Sequence, residues 1–346
     1  MTPAVRGREP ADAWPSLRAI AGVAELPLPW PVAHATRLGL HASARRFYRL
    51  SPAGGGHEGD TRVLVLYEHD DPEAVERYER TARWFLGAGV RVPRLFGRSD
   101  RALLVEDGGD RLLAEAPDTF DLRRPYDAAA RMILALQDHG RAVEVPNPQL
   151  RLDGERLRRE LAFTEEHALR GWLEAGPSRA RDHAFDRLAA AVARQPRRLC
   201  HRDYHSRNLL VADELMVLDF QDAMVGPLFY DLASLLRDDY RDVPAEQAAR
   251  ALELFWEGAR QPLPVDDAAD VPAEPGLLPP GARQGLVLTG AQRSLKALGT
   301  FGYQVSVAGR HAYAGYARRT WRHARRALTA LGFDELIDDL AAFDRL

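Results

Sequence analysis

The segment CHRDYHSRNLLVADELMVLDFQDA, residues 200–223, holds two histidines, four aspartates, an asparagine and two arginines between apolar runs. Asp203 and Asn208 precede one short predicted strand, and Asp219 ends the next. If these strands form a hairpin, the amide oxygen of Asn208 and the carboxylate of Asp219 converge as hard oxygen ligands, which Mg2+ takes beside phosphates. Asp203 could then accept a proton from a hydroxyl that attacks phosphorus, so the spacing predicts phosphoryl transfer. Because Asp and Asn also favour turns, capping of short strands is the alternative interpretation.

The elements before this segment predict a small sheet with one helix. The strings RFYRL and TRVLVLY flank a Gly-rich turn and predict a β-hairpin over residues 46–67. A helix is predicted to begin at Pro72 and to end before Gly87 and Gly89, because apolar residues recur at helical spacing between them. Two further short strands lead to an acidic, glycine-bearing step at residues 106–109.

The chain beyond that step is predicted to be mostly helical. The strings YDAAARMILALQDHG, ERLRRELAFTEEHALRGWLEAG and RARDHAFDRLAAAVARQ carry apolar residues three and four positions apart. Residues 262–281 are rich in Pro and Ala without periodicity, which predicts a surface loop.

Composition excludes several classes of function. A formal net charge of -3 over 346 residues offers no basic surface for nucleic acid. No apolar run is long enough to cross a bilayer, and the N-terminal sequence lacks the order of a signal peptide. Cys200 is the single cysteine, ends an apolar strand and is expected to be a small buried residue. We expect a cytoplasmic monomer that acts on a small molecule, without a membrane or nucleic-acid partner.

The strings HRDYHSRNLLV and LDFQDAMVGPLFYDLASLLRD resemble the aminoglycoside-phosphotransferase-like branch of the protein-kinase-like superfamily. Within it, the chain is most similar to the bacterial anomeric kinases that phosphorylate N-acetylmuramate and N-acetylglucosamine at C1, through ASARRFYR, LLVEDGGDRLL and QRSLKALGTF. This resemblance implies an α+β, protein-kinase-like bilobal fold that uses ATP and Mg2+. Its expected parts are a tail (1–17), a sheet-bearing N-lobe (18–105), a hinge (106–110) and a helical C-lobe (111–346).

The resemblance also implies roles for individual residues. Asp203 would be the catalytic base, and Asn208 and Asp219 would bind Mg2+. Three residues would brace the catalytic loop: His201, Arg202 and Asp231. The hinge would receive adenine through backbone groups at Glu106, Asp107 and Gly108.

Two features of ordinary kinases are missing. There is no G-x-G-x-x-G phosphate loop, and residues 42–46 are expected to take its place, with Ser43 contacting phosphate. The strand lysine that pairs with phosphates is replaced, and its position is assigned to Leu66. One of three arginines is expected to supply the missing charge: Arg45, Arg46 or Arg49.

Six residues are candidates for contact with the acceptor, each with a structural alternative. Lys296 is the single lysine among 47 basic residues, and it is either a site residue or a surface lysine with a buried stem. The other candidates, which could instead be polar loop positions or ion-pair partners, are His205, Arg207, Gln221, Asp222 and Arg237.

The leading hypothesis for function is an ATP-dependent sugar 1-kinase of cell-wall recycling, as the resemblance implies. A kinase of another small alcohol, such as an aminoglycoside, choline or homoserine, is the first alternative. The second is a weakly active nucleotide-binding regulator, which the absent strand lysine motivates.

Overall fold

The computed structural model describes residues 14–20, 22–39, 45–52, 60–117, 119–259 and 280–346. Contacts divide the chain into two compact units. The first comprises Met1–Arg111 with Leu210–Gln221, and the second comprises Leu112–Leu209 with Asp222–Leu346. The first unit is built on a sheet and the second is mostly helical, which confirms the predicted α+β class.

The first unit contains an antiparallel five-stranded sheet with the order β1-β2-β3-β5-β4. A short helix, α1 (Trp14–Arg18), precedes it. The strands are β1 (Val32–Leu38), β2 (Arg46–Pro52), β3 (Arg62–Leu66), β4 (Leu95–Arg98) and β5 (Ala102–Glu106).

The central strands β2 and β3 form the predicted hairpin, whose turn lies outside the described residues. Their register pairs Arg46 with Leu66 and Leu50 with Arg62. Side chains alternate between the two faces of a strand. One face packs into a core cluster with the segment that surrounds α1, and this face contributes Tyr48, Leu50, Leu64, Leu66, Ala102 and Leu104.

The predicted helix is α2 (Pro72–Gly87). It begins where the Asp71 carboxylate accepts a hydrogen bond from the backbone N–H of Ala74, which satisfies a donor that the first helical turn leaves unpaired. Its buried face includes Tyr78 and Phe85, whose rings lie 4.8 and 5.5 Å from the ring of Phe220. The helix therefore anchors the residue that follows Asp219.

The segment 210–221 belongs to the first unit, although the sequence-based boundary assigned it to the helical part. Its strands are β7 (Leu209–Val211) and β8 (Leu215–Val217), which pair with each other. The backbone N–H of Val211 donates to the carbonyl of Arg111 at 2.7 Å, and that of Val217 donates to Arg91 at 2.9 Å. These bonds tie the hairpin to the sheet-bearing unit.

The second unit contains eight described helices and a short two-stranded ladder. Strand β6 (Arg197–Cys200) pairs antiparallel with β9 (Met224–Pro227). The helices are α3 (Arg123–Ala142), α4 (Gly154–Thr164), α5 (Arg179–Ala193), α6 (Tyr230–Leu236), α7 (Ala245–Gly258), α8 (Pro280–Ser306), α9 (Ala314–Ala330) and α10 (Asp334–Asp339). Cys200 is fully buried, as expected.

Helix α8 lies in the core of the second unit and contains two glycines at its closest approach to a neighbour. A π-helical turn, Glu165–Arg170, follows α4. A Cβ added to Gly302 would lie 2.4 Å from the Cα of Ala168, and one added to Gly299 would lie 2.7 Å from the Cα of Thr164. The Thr164 hydroxyl also donates to the carbonyl of Leu295 at 2.8 Å. These contacts fix the position of α8, and with it that of Lys296.

Two further predictions concerned the loop at residues 262–281 and segments that could cross a membrane. The predicted loop at 262–281 lies outside the described residues except at its end, where α8 begins at Pro280. Among the helices that the structure describes, none combines the length and apolar character needed to cross a membrane.

Candidate active site

The loop after β6 is held in place by a buried carboxylate on α6. Asp231 is fully buried and accepts hydrogen bonds from the backbone N–H groups of His201, at 2.7 Å, and Arg202, at 2.9 Å. Arg202 has a φ of 84°, a left-handed conformation that is uncommon for a residue with a side chain. The two hydrogen bonds stabilise this bend, which precedes Asp203.

Asp203 pairs with Lys296 of α8. The Nζ atom of Lys296 lies 2.7 Å from the Asp203 Oδ1 atom, and about a third of the Asp203 side chain is exposed. Sequence spacing alone did not connect these residues, which lie 93 positions apart. The single lysine of the chain is therefore a contact of the predicted catalytic base, and its role in the reaction stays a prediction.

The charges around Asp203 are predominantly positive. Burial would raise the pKa of Asp203, but Lys296, Arg202 and Arg293 outweigh it and hold this pKa well below its usual value. Arg293 lies one helical turn before Lys296 and pairs with Asp239 at 3.6 Å. Asp203 is thus ionised at any ordinary pH.

A second, half-buried carboxylate, Glu160 of α4, supports the same loop. It accepts hydrogen bonds from Arg202 at 3.3 Å, from Gln292 at 3.0 Å and from the Tyr230 hydroxyl at 3.3 Å. Asp238 accepts from the backbone N–H of Ser206 at 2.6 Å. Sequence reasoning assigned no role to Glu160, Gln292 or Arg293, although Gln292 and Arg293 begin the string QRSLKALGTF that carries part of the resemblance.

The two predicted metal ligands belong to different units, and each is positioned by its own neighbours. The amide nitrogen of Asn208 donates to the carbonyl of Asp203 at 2.8 Å, which orients the amide oxygen away from that carbonyl. Asp219 has a φ of 60°, and its carboxylate is 43% exposed. An amide oxygen and an accessible carboxylate are suitable donors for Mg2+, which often uses one or two protein groups beside phosphates and water. Each residue thus offers an oxygen of the kind that Mg2+ binds, and their joint use remains a prediction.

Arg45 is the arginine that contacts the predicted metal aspartate. Its Nη2 atom lies 2.7 Å from the Oδ1 atom of Asp219, and the amide of Gln221 donates to the same oxygen at 3.0 Å. Tyr67 adjoins Arg45: burial raises the pKa of the Tyr67 hydroxyl, and the charge of Arg45 partly opposes that rise. A positive charge therefore stands beside Asp219 without a strand lysine.

This arrangement corrects the position assigned to the missing lysine. Leu66 is fully buried in the core on the opposite face of the sheet, with Leu64 and Tyr48. Tyr67, one residue later, is on the side of Arg45 and Asp219. Because alternate residues of an extended chain point to opposite faces, Leu66 does not present its side chain to Asp219, whereas Tyr67 adjoins Arg45.

The other two arginines proposed for the missing charge differ from Arg45. Arg49 pairs with Asp107 at 2.5 Å and with Asp110 at 2.8 Å, so its charge is already balanced by two carboxylates. Arg46 lies opposite Leu66 in the sheet, on the face away from Asp219. Ser43 lies outside the described residues.

In the predicted hinge, the side chains of Glu106 and Asp107 accept hydrogen bonds from other residues of the first unit. Glu106 accepts hydrogen bonds from the Arg91 side chain at 2.9 Å and from the backbone of Arg94 at 3.1 Å. Asp107 accepts from Arg49 and from the Thr61 hydroxyl at 2.7 Å. Gly108 closely approaches the hairpin, since an added Cβ would lie 2.9 Å from the sulfur of Met216. Backbone recognition of adenine at this step remains a prediction.

Of the remaining acceptor candidates, two lie on the catalytic loop. The rings of His205 and Tyr240 are 4.8 Å apart, and burial lowers the pKa of His205 well below its usual value, so the imidazole is neutral. The guanidinium of Arg207 packs on the ring of Tyr240 at 4.2 Å. Asp222 is half-buried in the second unit, close enough to Arg202 to influence its charge.

Arg237 has the surroundings of a structural residue. Burial lowers its pKa to about 10, and it donates to the carbonyl of Val287 at 3.3 Å. It occupies the space where Gly290 lacks a side chain, since a Cβ there would lie 1.3 Å from its Nη1 atom. No described contact connects it with Asp203, so we retain the structural interpretation.

The sequence of this chain is similar to a known family and to named bacterial proteins. The sequence profile of the phosphotransferase enzyme family (APH) matches residues 34–263. A Pseudomonas aeruginosa protein named N-acetylmuramate/N-acetylglucosamine kinase is 30% identical over 298 residues, covering 83% of this chain and 81% of that protein. A protein of the same name from Pseudomonas putida is 27% identical over 327 residues, or 90% of each chain.

Solved structures show the same fold at low identity. A choline/ethanolamine kinase family protein from Mesorhizobium loti has a TM-score of 0.57 at 16% identity, covering 96% of this chain and 97% of that one. A macrolide 2'-phosphotransferase from Brachybacterium faecium has a TM-score of 0.54 at 18% identity, covering 92% and 98%. The fold is kinase-like, with an antiparallel-sheet lobe and a mostly helical lobe. The chain therefore belongs to the phosphotransferase enzyme family, and it is a phosphotransferase that acts on an alcohol group.

Proposed function

We propose that this protein is an ATP- and Mg2+-dependent kinase that transfers the γ-phosphate to the anomeric hydroxyl of N-acetylmuramate or N-acetylglucosamine. Such an activity would serve the recycling of cell-wall amino sugars. The names of the relatives from two Pseudomonas species support the substrate class. The single observation that carries the proposal is the pairing of Asp203 with Lys296 at 2.7 Å.

This pairing favours an acidic acceptor hydroxyl. Because its pKa is held well below the usual value, Asp203 is a weak base. The anomeric hydroxyl of a free sugar is more acidic than an ordinary alcohol, so a weak base suffices to orient it and to accept its proton as the bond to phosphorus forms. In phosphoryl transfer, alignment and charge neutralisation supply most of the catalysis.

The residues of the chain then have separate tasks. Asp203 orients the attacking oxygen and receives its proton, while Lys296 fixes the carboxylate and keeps it ionised. Asp231 and Glu160 hold the loop at its backbone and at Arg202. Asn208 and Asp219 would hold Mg2+, which neutralises phosphate charge when bound.

The charges near Asp203 disfavour a cationic acceptor such as choline or an aminoglycoside. Lys296, Arg202 and Arg293 all influence this carboxylate. In the acidic C-terminal segment, Asp339 pairs with Arg181 at 2.8 Å and Asp344 with Arg325 at 3.3 Å, so these two carboxylates are already engaged. A neutral or anionic sugar is the better match to this environment.

The test is a panel of acceptors with MgATP. We expect a sugar 1-phosphate, identified by phosphorus NMR, from N-acetylglucosamine or N-acetylmuramate and none from choline, homoserine or an aminoglycoside. Asp203→Asn should abolish the product, whereas Asp213→Asn, the same change at an exposed position, should not. Intact ATP binding without turnover on any acceptor would instead favour the weakly active regulator.

A further inference from the structure

The catalytic loop carries an arginine held by a cluster of tyrosines. The guanidinium carbon of Arg207 lies 4.2 Å from the ring centre of Tyr240, 4.7 Å from that of Tyr316 and 5.8 Å from that of Tyr313. Its Nη2 atom donates to the Tyr316 hydroxyl at 2.5 Å. Aromatic faces attract cations, and an arginine fixed in this way loses little further freedom when it binds an anion.

Arg207 forms no ion pair with a carboxylate in the described part of the chain. Asp238 accepts hydrogen bonds from the backbone N–H groups of Ser206, at 2.6 Å, and Tyr240, at 2.8 Å, and two further acidic groups of this unit are engaged by other residues. Asp239 accepts from the Thr320 hydroxyl at 2.7 Å and pairs with Arg293, and Asp242 pairs with Arg319 at 3.0 Å. A half-buried guanidinium with five N–H donors thus keeps its charge unbalanced within this unit.

Arg207 is close to the predicted catalytic base through the chain and through contacts. It lies four residues after Asp203 and directly before Asn208. The ring of Tyr240 that carries Arg207 also packs on His205 at 4.8 Å, and the charge of Asp203 acts on the His205 imidazole. An anion bound by Arg207 would therefore lie at the same loop that carries Asp203.

We propose that Arg207 binds the carboxylate of the lactyl ether group that N-acetylmuramate carries and N-acetylglucosamine lacks. This inference rests on the proposed sugar kinase function. The planar guanidinium can donate two parallel hydrogen bonds to a carboxylate, which are stronger than bonds between neutral groups. Tyr240, Tyr313 and Tyr316 are positioning residues that keep the guanidinium in place.

The test is the ratio of kcat/KM for N-acetylmuramate to kcat/KM for N-acetylglucosamine. Arg207→Met should lower this ratio by about 10- to 100-fold, the scale of a lost hydrogen-bonded charge contact. Arg207→Lys should lower it less, because the charge remains but the planar fork is lost. Arg326→Met, which removes an exposed arginine of α9, is the matched control and should leave the ratio unchanged.

A change in the substrate provides an independent check. In the lactyl amide of N-acetylmuramate the carboxylate is replaced by a neutral group. The wild-type protein should show the same reduced kcat/KM for this amide that Arg207→Met shows for N-acetylmuramate itself. Tyr316→Phe removes the hydroxyl that Arg207 contacts and should lower the ratio in the same direction, so the inference stays testable even if the variants at Arg207 fold poorly. An unchanged ratio in both Arg207→Met and Tyr316→Phe, with both sugars still phosphorylated, overturns the inference and leaves the proposed function intact. Failure of the wild-type protein to phosphorylate either sugar overturns both.

Discussion

At the scale of single residues, two ion pairs, one in each unit, involve the residues predicted to take part in the reaction. Lys296 on α8 contacts the predicted base, and Arg45 contacts the predicted metal aspartate. A lysine suits the first position because its ammonium is a compact point charge, which can approach one carboxylate oxygen. An arginine at the second position can contact both Asp219 and the neighbouring groups with its several donors.

Replacing Lys296 should change both the rate and its pH dependence. Lys296→Met is expected to lower kcat/KM by about 100-fold, the scale of a lost electrostatic contact in an active site. Without this charge, fewer positive groups oppose the effect of burial, so the pKa of Asp203 should rise and the acid limb of the pH profile should move to higher pH. Below its pKa the carboxyl is protonated and cannot accept the proton of the sugar hydroxyl. A higher pKa therefore moves the loss of activity on the acid side to higher pH.

A matched change at His205 separates the two titrating groups. The pKa of His205 is well below its usual value because of burial, so the imidazole is already neutral across the working range. His205→Gln should therefore leave the acid limb where it is. An acid limb that moves with His205 and not with Lys296 would contradict the assignment of Asp203 as the titrating base.

Replacing Arg45 tests whether it supplies the missing charge. Arg45→Met should raise KM for MgATP by about tenfold, the scale of one charge-assisted hydrogen bond, with a smaller effect on KM for the sugar. Arg83→Met removes an exposed arginine of the same unit and serves as control. If KM for MgATP were the same in both variants, Arg45 would have no role in nucleotide binding.

At the scale of elements, local sequence signals were sufficient for some features and insufficient for others. The β2-β3 hairpin and helix α2 follow from alternation, turn residues and the cap at Asp71, and all of these are local. The Lys296 contact depends on how α8 packs against α4 and the π-helical turn. That packing joins residues more than 100 positions apart, and no periodicity in the sequence encodes it.

The misplaced lysine position has an equally physical cause. A shift of one residue along a strand moves a side chain to the other face of the sheet, so an alignment error of one position reverses its environment. Leu66 and Tyr67 are adjacent in sequence, yet Leu66 packs in the core and Tyr67 adjoins Arg45. Apolar character on both faces of β3 concealed the register from the sequence.

The close packing of α8 gives a prediction about stability. Gly302→Ala places a methyl group against the backbone of the π-helical turn, and overpacking of this kind costs about 1–3 kcal/mol. Gly315→Ala on α9 meets no atom within 4 Å and should be neutral or slightly stabilising. Urea unfolding of the two variants checks this, and equal midpoints would show that α8 tolerates a wider separation.

At the scale of the whole molecule, the residues assigned to the reaction are divided between two compact units. Arg45 and Asp219 belong to the first, and Asp203, Asn208 and Lys296 belong to the second. The fold class could be predicted because the catalytic-loop motif and the change from strand to helical periodicity agree. The proposed role of Arg207 in selecting the acceptor could not be predicted, since Arg207 acquires its surroundings from tyrosines more than 30 and 100 residues away along the chain.

The most direct test of the account compares N-acetylglucosamine with its methyl glycoside, in which the anomeric oxygen is blocked. Both sugars keep every other hydroxyl, so only transfer to C1 separates them. With MgATP and purified protein, we predict ADP formation with N-acetylglucosamine and none above background with the methyl glycoside. Equal ADP formation with both sugars would contradict transfer to the anomeric hydroxyl and would reassign the reaction to another alcohol group.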